Sequence, residues 1–173
     1  IPAAPLLPIH PQGCLRILPN IAGFVGADTV ACMTAVDFGS LEELTLMIDI
    51  GTNGEMVLGN TDRRIACSTA AGPAFEGARI SMGMRGSPGA IDHVWIEGGE
   101  IRHHTIGDME PMGICGSGLL DLVACMLELG ILDESGYLEG KQYTISGTNV
   151  SLTQKDIREV QLAKAAIRAG IEL

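Results

Sequence analysis

Directly after the apolar run LTLMI, the chain reads Asp49-Ile50-Gly51-Thr52-Asn53-Gly54-Glu55. These residue types suit phosphate and metal chemistry. Gly51 lets the backbone come close to a ligand or take an unusual φ. The turn Gly51-Thr52-Asn53-Gly54 exposes successive backbone N–H groups, and such a concave set of amides cradles anions. Thr52 and Asn53 add side-chain donors. Asp49, at the end of the apolar strand, is placed to hold Mg²⁺ directly or through its waters. Amides, hydroxyls and one metal-holding carboxylate are what the terminal phosphates of a nucleotide need.

Three other readings compete for this stretch. Asn53-Gly54 is a strong hairpin signal, so it can be turn chemistry and nothing more. That reading leaves a carboxylate at the end of a buried strand unexplained, where a charge is costly unless paired or metal-bound. A calcium loop matches Asp49, Asn53 and Gly54, but offers Gly51 at the third position and Asn60 at the twelfth, where a Glu is wanted. A Walker loop fails, because the chain contains no GxxxxGK[ST].

GICGSG at 113–118 is a second candidate. Gly116 and Ser117 open a helix there, and its amides could meet an anion. The spacing is not that of the dinucleotide fingerprint, and no strand is expected before it. A Gly-rich helix entrance capped by Ser117 explains it equally well. In AAGPAFEG, Gly72 could bring a helix start to a ligand with Glu76 reaching a ribose; a plain helix start with a solvated Glu76 is the alternative. His103 and His104 are adjacent on an expected strand and point to opposite faces, which favours a structural or exposed role over a shared site. Arg85, in the Gly-rich loop, could touch phosphate, with a surface role as its default.

The elements that must position these residues form an α/β pattern. Residues 25–37 predict a short helix closed by Gly39. The run 44–50 has the length and composition of a strand buried on both faces. With GEMVLGN, RRIACSTA and the turn Asn60-Thr61-Asp62, it predicts an antiparallel three-strand meander over 44–70. Gly72-Pro73 predicts a helix start. Residues 83–90 predict a loop, and Gly98-Gly99 the turn of a second hairpin. Leu119, Leu122, Val123, Met126 and Leu129 predict a helix over 117–129 closed by Gly130. Thr153 and Asp156 predict a capping box for a last helix, with Ile157, Val160, Ile167 and Ile171 as its stripe.

Composition narrows the function classes. The 173 residues allow one domain with a real core, built from aliphatic residues because aromatics are only 3%. A net charge of −10 argues against a nucleic-acid partner. No apolar run approaches the roughly 18–20 residues of a membrane span. The five cysteines include no CxxC pair, which argues for free thiols in a reducing cytoplasm over a zinc or iron–sulfur site. The chain starts without Met and its last helix lacks a stop signal, as expected of a fragment.

Taken together, LPNIAGFVGADTVA, LMIDIGTNGEMVLGN, CSTAAGPAFEGARISMGMRGSPGAI, GICGSGLLDLV and AKAAIRAGI resemble, in this order, the reductive activators of corrinoid proteins. The resemblance covers about 18–171. It implies a fold like the ATP-binding part of the sugar kinase, heat-shock chaperone and actin superfamily: a mixed sheet with an antiparallel meander and packed helices. Residues 1–40 would be an irregular segment and short helix, and 41–173 a central block of that actin-like ATPase domain. Asp49 then carries the catalytic Mg²⁺ role, Gly51, Thr52, Asn53 and Gly54 the phosphate contacts, and Gly72 and Glu76 further nucleotide contacts. Gly116 and Ser117 stay candidates on their own spacing. The implied cofactors are ATP and Mg²⁺, with the family's iron–sulfur cluster outside this chain. The implied partner is the corrinoid protein of a methyltransferase system, whose Co(II) is returned to Co(I). The resemblance also implies that the first phosphate hairpin lies upstream of Ile1 and an adenosine turn beyond Leu173, so that the block alone hydrolyses ATP negligibly. A small-molecule kinase of the same superfamily and a non-catalytic module that dimerises are the alternatives.

Overall fold

The structure, a computed structural model, describes Pro8, His10 and residues 12–173. Most of the Pro-rich start, expected to be irregular, lies outside the described residues. The chain divides into two compact units, Ile1–Met47 with Val57–Cys67, and Ile48–Met56 with Ser68–Leu173. Strands β1 (Thr45–Ile50), β2 (Gly54–Gly59) and β3 (Arg64–Thr69) form one sheet in that order, which is the expected meander. The central strand β2 is its buried member. β1 is only half-covered, against the expectation of a strand buried on both faces, because it is an edge of the sheet.

The first unit contains helix α1 (Ala27–Ala35) and a 3₁₀ turn, Phe38–Ser40. α1 is shorter than the spacing predicts. Asp37 takes a left-handed conformation (φ 48°) and stops the helix before Gly39. Asn60 makes the expected turn: its Oδ1 accepts from the amides of Asp62 (3.0 Å) and Arg63 (3.2 Å). That commitment removes Asn60 as a calcium ligand.

The second unit holds the larger core. β4 (Ala90–Glu97) and β5 (Glu100–Thr105) form the expected hairpin, and β6 (Gly113–Ile114) runs parallel to β4 on its other side. Helix α2 (Gly116–Glu128) leaves β6 at once, and β6 is the first two residues of GICGSG itself, a short strand inside the motif that the sequence reading did not predict. Two residues are too few to show a strand period. The loop before β4 is more ordered than expected: Met84 N–H donates to Ile114 O and Ile114 N–H to Met82 O, both at 2.9 Å. β7 (Gln142–Thr144) and β8 (Ser151–Thr153) make a small antiparallel pair, and α3 (Gln154–Ile171) follows.

Leu119, Leu122 and Met126 of α2 are fully buried with Ile91, Ile114, Leu152 and Ile157. Each such side chain contributes about 1.5–3 kcal/mol of burial. On α3, Ile157 and Val160 join the core as predicted, and Ile167 is half-covered. Ile171 is 46% exposed; Ala163 and Gly170 face inward in the outer turns of the helix. The expected box is present at the α3 start: Thr153 Oγ1 accepts from Asp156 N–H, and Asp156 Oδ2 accepts from Thr153 N–H at 2.8 Å.

Candidate functional site

The loop 51–53 joins β1 to β2. Gly51 N–H donates to Asn53 O at 2.9 Å, so this amide is spent inside the loop. The Thr52 hydroxyl points out and donates to both carboxylate oxygens of Glu76, each at 2.9 Å. A side chain on Gly51 would begin 4.0 Å from Glu76 Oε1. Two stretches singled out separately by sequence, IDIGTNGE and AAGPAFEG, therefore meet through Thr52 and Glu76. Asp49 is half-buried at the penultimate position of β1, so desolvation alone does not demand a metal there.

Glu76 ends a single 3₁₀ turn, Pro73–Glu76, where a longer helix was expected. Gly72 before it (φ 76°) and Gly77 after it (φ 79°) both leave helical geometry, so the turn cannot propagate. A Cβ on Gly72 would meet nothing within 4 Å, which leaves the space beside it open. Gly54, in contrast, is buried; its Cβ would lie 2.9 Å from Thr69 Oγ1 and 3.4 Å from Ile167. It serves packing at the start of β2.

GICGSG is explained mainly by close approach of backbones. A Cβ on Gly116 would fall 2.0 Å from Phe75 O, and one on Gly118 2.3 Å from Ile91 O. The first turn of α2 thus rests on the 73–76 turn and on β4. Cys115 is the N-cap and supplies no side-chain cap. Ser117, expected to cap, instead donates its hydroxyl to Asp92 O at 2.7 Å. Gly116 lines a cavity of about 280 Å³ with Phe75, Glu76, Met84, Arg85 and Cys115. The structure therefore joins Thr52, Glu76 and Gly116, turns Ser117 toward β4, places Arg85, weighed from sequence as a phosphate contact or a surface residue, at the same cavity, and adds Cys115, which the sequence reading did not single out. The one signal for Arg85 was its place between glycines.

Asp92 is the extra residue of a bulge in β4, where the pairing steps from Ile91↔Thr105 to His93↔His104. Its Oδ1 lies 2.7 Å from His104 Nδ1, and Asp108 approaches the other ring nitrogen at 3.5 Å. The bond to Asp92 raises His104 above its ordinary 6.5 and lowers Asp92 below its ordinary 3.8. Burial pushes the neighbouring His103 below 6.5. The stabilisation from His104 is complete below pH 6.5 and is lost as pH rises through its raised value. That from Asp92 is present above pH 3.8 and is lost as pH falls through its lowered value, so the pair acts between the two. An NMR titration should find His104 above 6.5 and His103 below it, and Asp92→Asn should bring only His104 down.

Residues 43–173 match the family described as the C-terminal domain of RACo, the ASKHA domain. The chain belongs to that family. It is 40% identical over 95% of its length to the corrinoid activation enzyme RamQ of Eubacterium limosum. It is 37% identical over 88% of its length to the [Co(II) methylated amine-specific corrinoid protein] reductase of Methanosarcina barkeri. A solved reductive activator for corrinoid, iron-sulfur protein superposes with a TM-score of 0.84 over 99% of this chain at 37% identity. The chain spans 32% of each of the two curated relatives and 31% of that solved chain. The actin-like, mixed α/β fold implied by the sequence motifs is thus the fold of this ASKHA domain. Among the described residues, no helix of the ASKHA domain is long and apolar enough to cross a membrane.

Proposed function

We propose that this domain supplies one phosphate-binding side of a Mg-ATP site in an ATP-dependent reductive activator that returns a corrinoid protein's Co(II) to Co(I). The observation that carries the reading is the Thr52–Glu76 link, which gathers the phosphate-type hairpin and the Gly72–Glu76 turn. The amides of Thr52 and Asn53 are the donors toward phosphate, since that of Gly51 is turned inward. Gly72 leaves the backbone open to a nucleotide, Gly116 lines the cavity beside it, and Glu76 faces the nucleotide's polar groups.

The donor set fits Mg²⁺ brought by a nucleotide. No group of three metal-binding side chains gathers among the described residues. Mg²⁺ does not need one: it keeps several waters and takes one or two carboxylates plus phosphate oxygens. Asp49 would hold it directly or through a water. When bound, the ion screens the phosphates from the protein carboxylates. Without it, two unit charges about 4 Å apart repel by about 4 kcal/mol at an effective dielectric of about 20.

The activation itself is a coupling. A bound nucleotide shifts a conformational equilibrium only by its differential affinity for two states. Closure around ATP would favour the state in which the partner's cobalt becomes reducible, and hydrolysis would reset it. The names of the relatives support a corrinoid protein as partner. Five cysteines without a CxxC pair suit the reducing cytoplasm, where we place the protein.

The test is a backbone-amide NMR titration of the chain with Mg-ATP, carried past a Kd of about 1 mM to capture a half-site. Saturable shifts at residues 51–54, 72 and 76, abolished by Asp49→Ala, are expected. Shifts confined to other regions, or unchanged in the variant, would overturn the reading.

A further inference from the structure

We infer that the cavity between Glu76, Arg85 and Gly116 receives a phosphate group of the bound nucleotide, with the Arg85 guanidinium as its cationic contact. The inference rests on the nucleotide reading above and assigns a residue to it.

Three observations carry it. The first is that Arg85 has no side-chain partner among the described residues. In the second unit Arg79 pairs with Glu159, Arg102 with Glu97 and Glu100, and Arg168 with Glu172, while Arg158 bonds Ser135 O and Gln161. Arg85 alone among that unit's arginines makes no side-chain hydrogen bond or ion pair to the described residues.

The second observation is its placement. Met84 is hydrogen-bonded to Ile114 of β6, and Ser87 Oγ donates to Arg85 O at 3.2 Å, so the backbone on both sides of Arg85 is held. Arg85 lines the cavity of about 280 Å³ together with Gly116, the glycine that opens α2. A guanidinium carried on a fixed backbone loses less freedom on binding, and its planar fork matches two phosphate oxygens.

The third is the charge of the site. Asp49 and Glu76 are both acidic, so a polyphosphate needs a protein cation there as well as its metal. Arg85 is the basic residue lining this cavity.

Cys115 lines the same cavity, is 8% exposed, and serves as a local reporter. The experiment measures iodoacetamide alkylation of Cys115 by peptide mass spectrometry in the full chain, Arg85→Ala and Arg85→Lys, with exposed Cys14 as internal control. The probes are Mg-ATP, magnesium pyrophosphate and adenosine. In the unmodified chain ATP and pyrophosphate should slow Cys115 alone, and adenosine should not. Arg85→Ala should need about tenfold more ATP or pyrophosphate for the same protection, the loss expected for one charge-assisted contact, and Arg85→Lys should recover part of it. Equal protection in the unmodified chain and Arg85→Ala overturns the inference and leaves the nucleotide reading standing. Amide shifts at 51–54 without protection of Cys115 overturn the cavity assignment alone. Neither shifts nor protection overturns both.

Discussion

Asp156→Ala should cost this domain about 3–5 kcal/mol, a large part of the roughly 5–15 kcal/mol that holds a domain together. Asp156 is fully buried, and no basic side chain is among its partners. Its charge is met by donors instead. Oδ1 accepts from Ser81 N–H (2.7 Å) and Ser81 Oγ (3.0 Å); Oδ2 accepts from Thr153 N–H and Thr153 Oγ1, both at 2.8 Å. One carboxylate thus caps α3 and ties it to a segment 75 residues away. Alanine strands two backbone amides, that of Ser81 and that of Thr153 in the box, at about 1–3 kcal/mol each where they are shielded from water, and takes the acceptor from both hydroxyls. Asp156→Asn keeps one acceptor but turns an NH₂ toward a donor, so it should fall between. Urea unfolding followed by circular dichroism measures the loss as a lower midpoint at unchanged slope. A loss below about 1 kcal/mol would mean that water replaces the carboxylate and that Asp156 is only a cap.

The same residue marks where sequence reading stops. Thr153 and Asp156 are three positions apart, and a capping box is a local rule, so the start of α3 was legible. The bonds to Ser81 were not, because no period or spacing links positions 81 and 156. Elsewhere the division is similar. The α2 stripe and the turn at Asn60 follow local rules and were read correctly; Asn53-Gly54 does mark the β1–β2 connection, but neither residue takes the positive φ its signal implies, and Gly54 already belongs to β2. β6, β7 and β8 have two or three residues each, too few to show alternation. Gly72-Pro73 carried a helix-start signal, yet the conformation of Gly77 limits it to one turn. Thr52 and Glu76 were each suspected from their residue types and neighbouring glycines, and again from the family motifs, but their meeting is tertiary. Ser117 was read as a cap because Ser at a helix start usually is one; the bulge at Asp92 offers its hydroxyl a carbonyl instead.

Gly116→Ala should disable the candidate site out of proportion to the stability it removes. Its Cβ would lie 2.0 Å from Phe75 O, so backbone has to move. Overpacking of this kind costs about 1–3 kcal/mol, and the question is which side yields. The start of α2 is held firmly: Cys115 N–H donates to Ile91 O at 3.0 Å, Ser117 Oγ to Asp92 O, and Gly118 rests against the Ile91 carbonyl. The 73–76 turn is short, bounded by two glycines at positive φ, and tied to the hairpin at its far end by the exposed Thr52–Glu76 bonds. It should be the part displaced, and Glu76 moves with it. Gly118→Ala is the matched control. Its Cβ would meet Ile91 O at 2.3 Å, so the strain goes into β4. Both variants should lose about 2 kcal/mol in urea unfolding, but only Gly116→Ala should lose the Mg-ATP shifts at residues 51–54 and 76 while still folded. If both variants keep those shifts, the 73–76 turn is a bystander and the hairpin works without Glu76. If both lose them, the site depends on the whole seat of α2 and not on this one contact. Only the asymmetric result places the function of Gly116 in its approach to Phe75, which is a role for the glycine that needs no anion at the helix end.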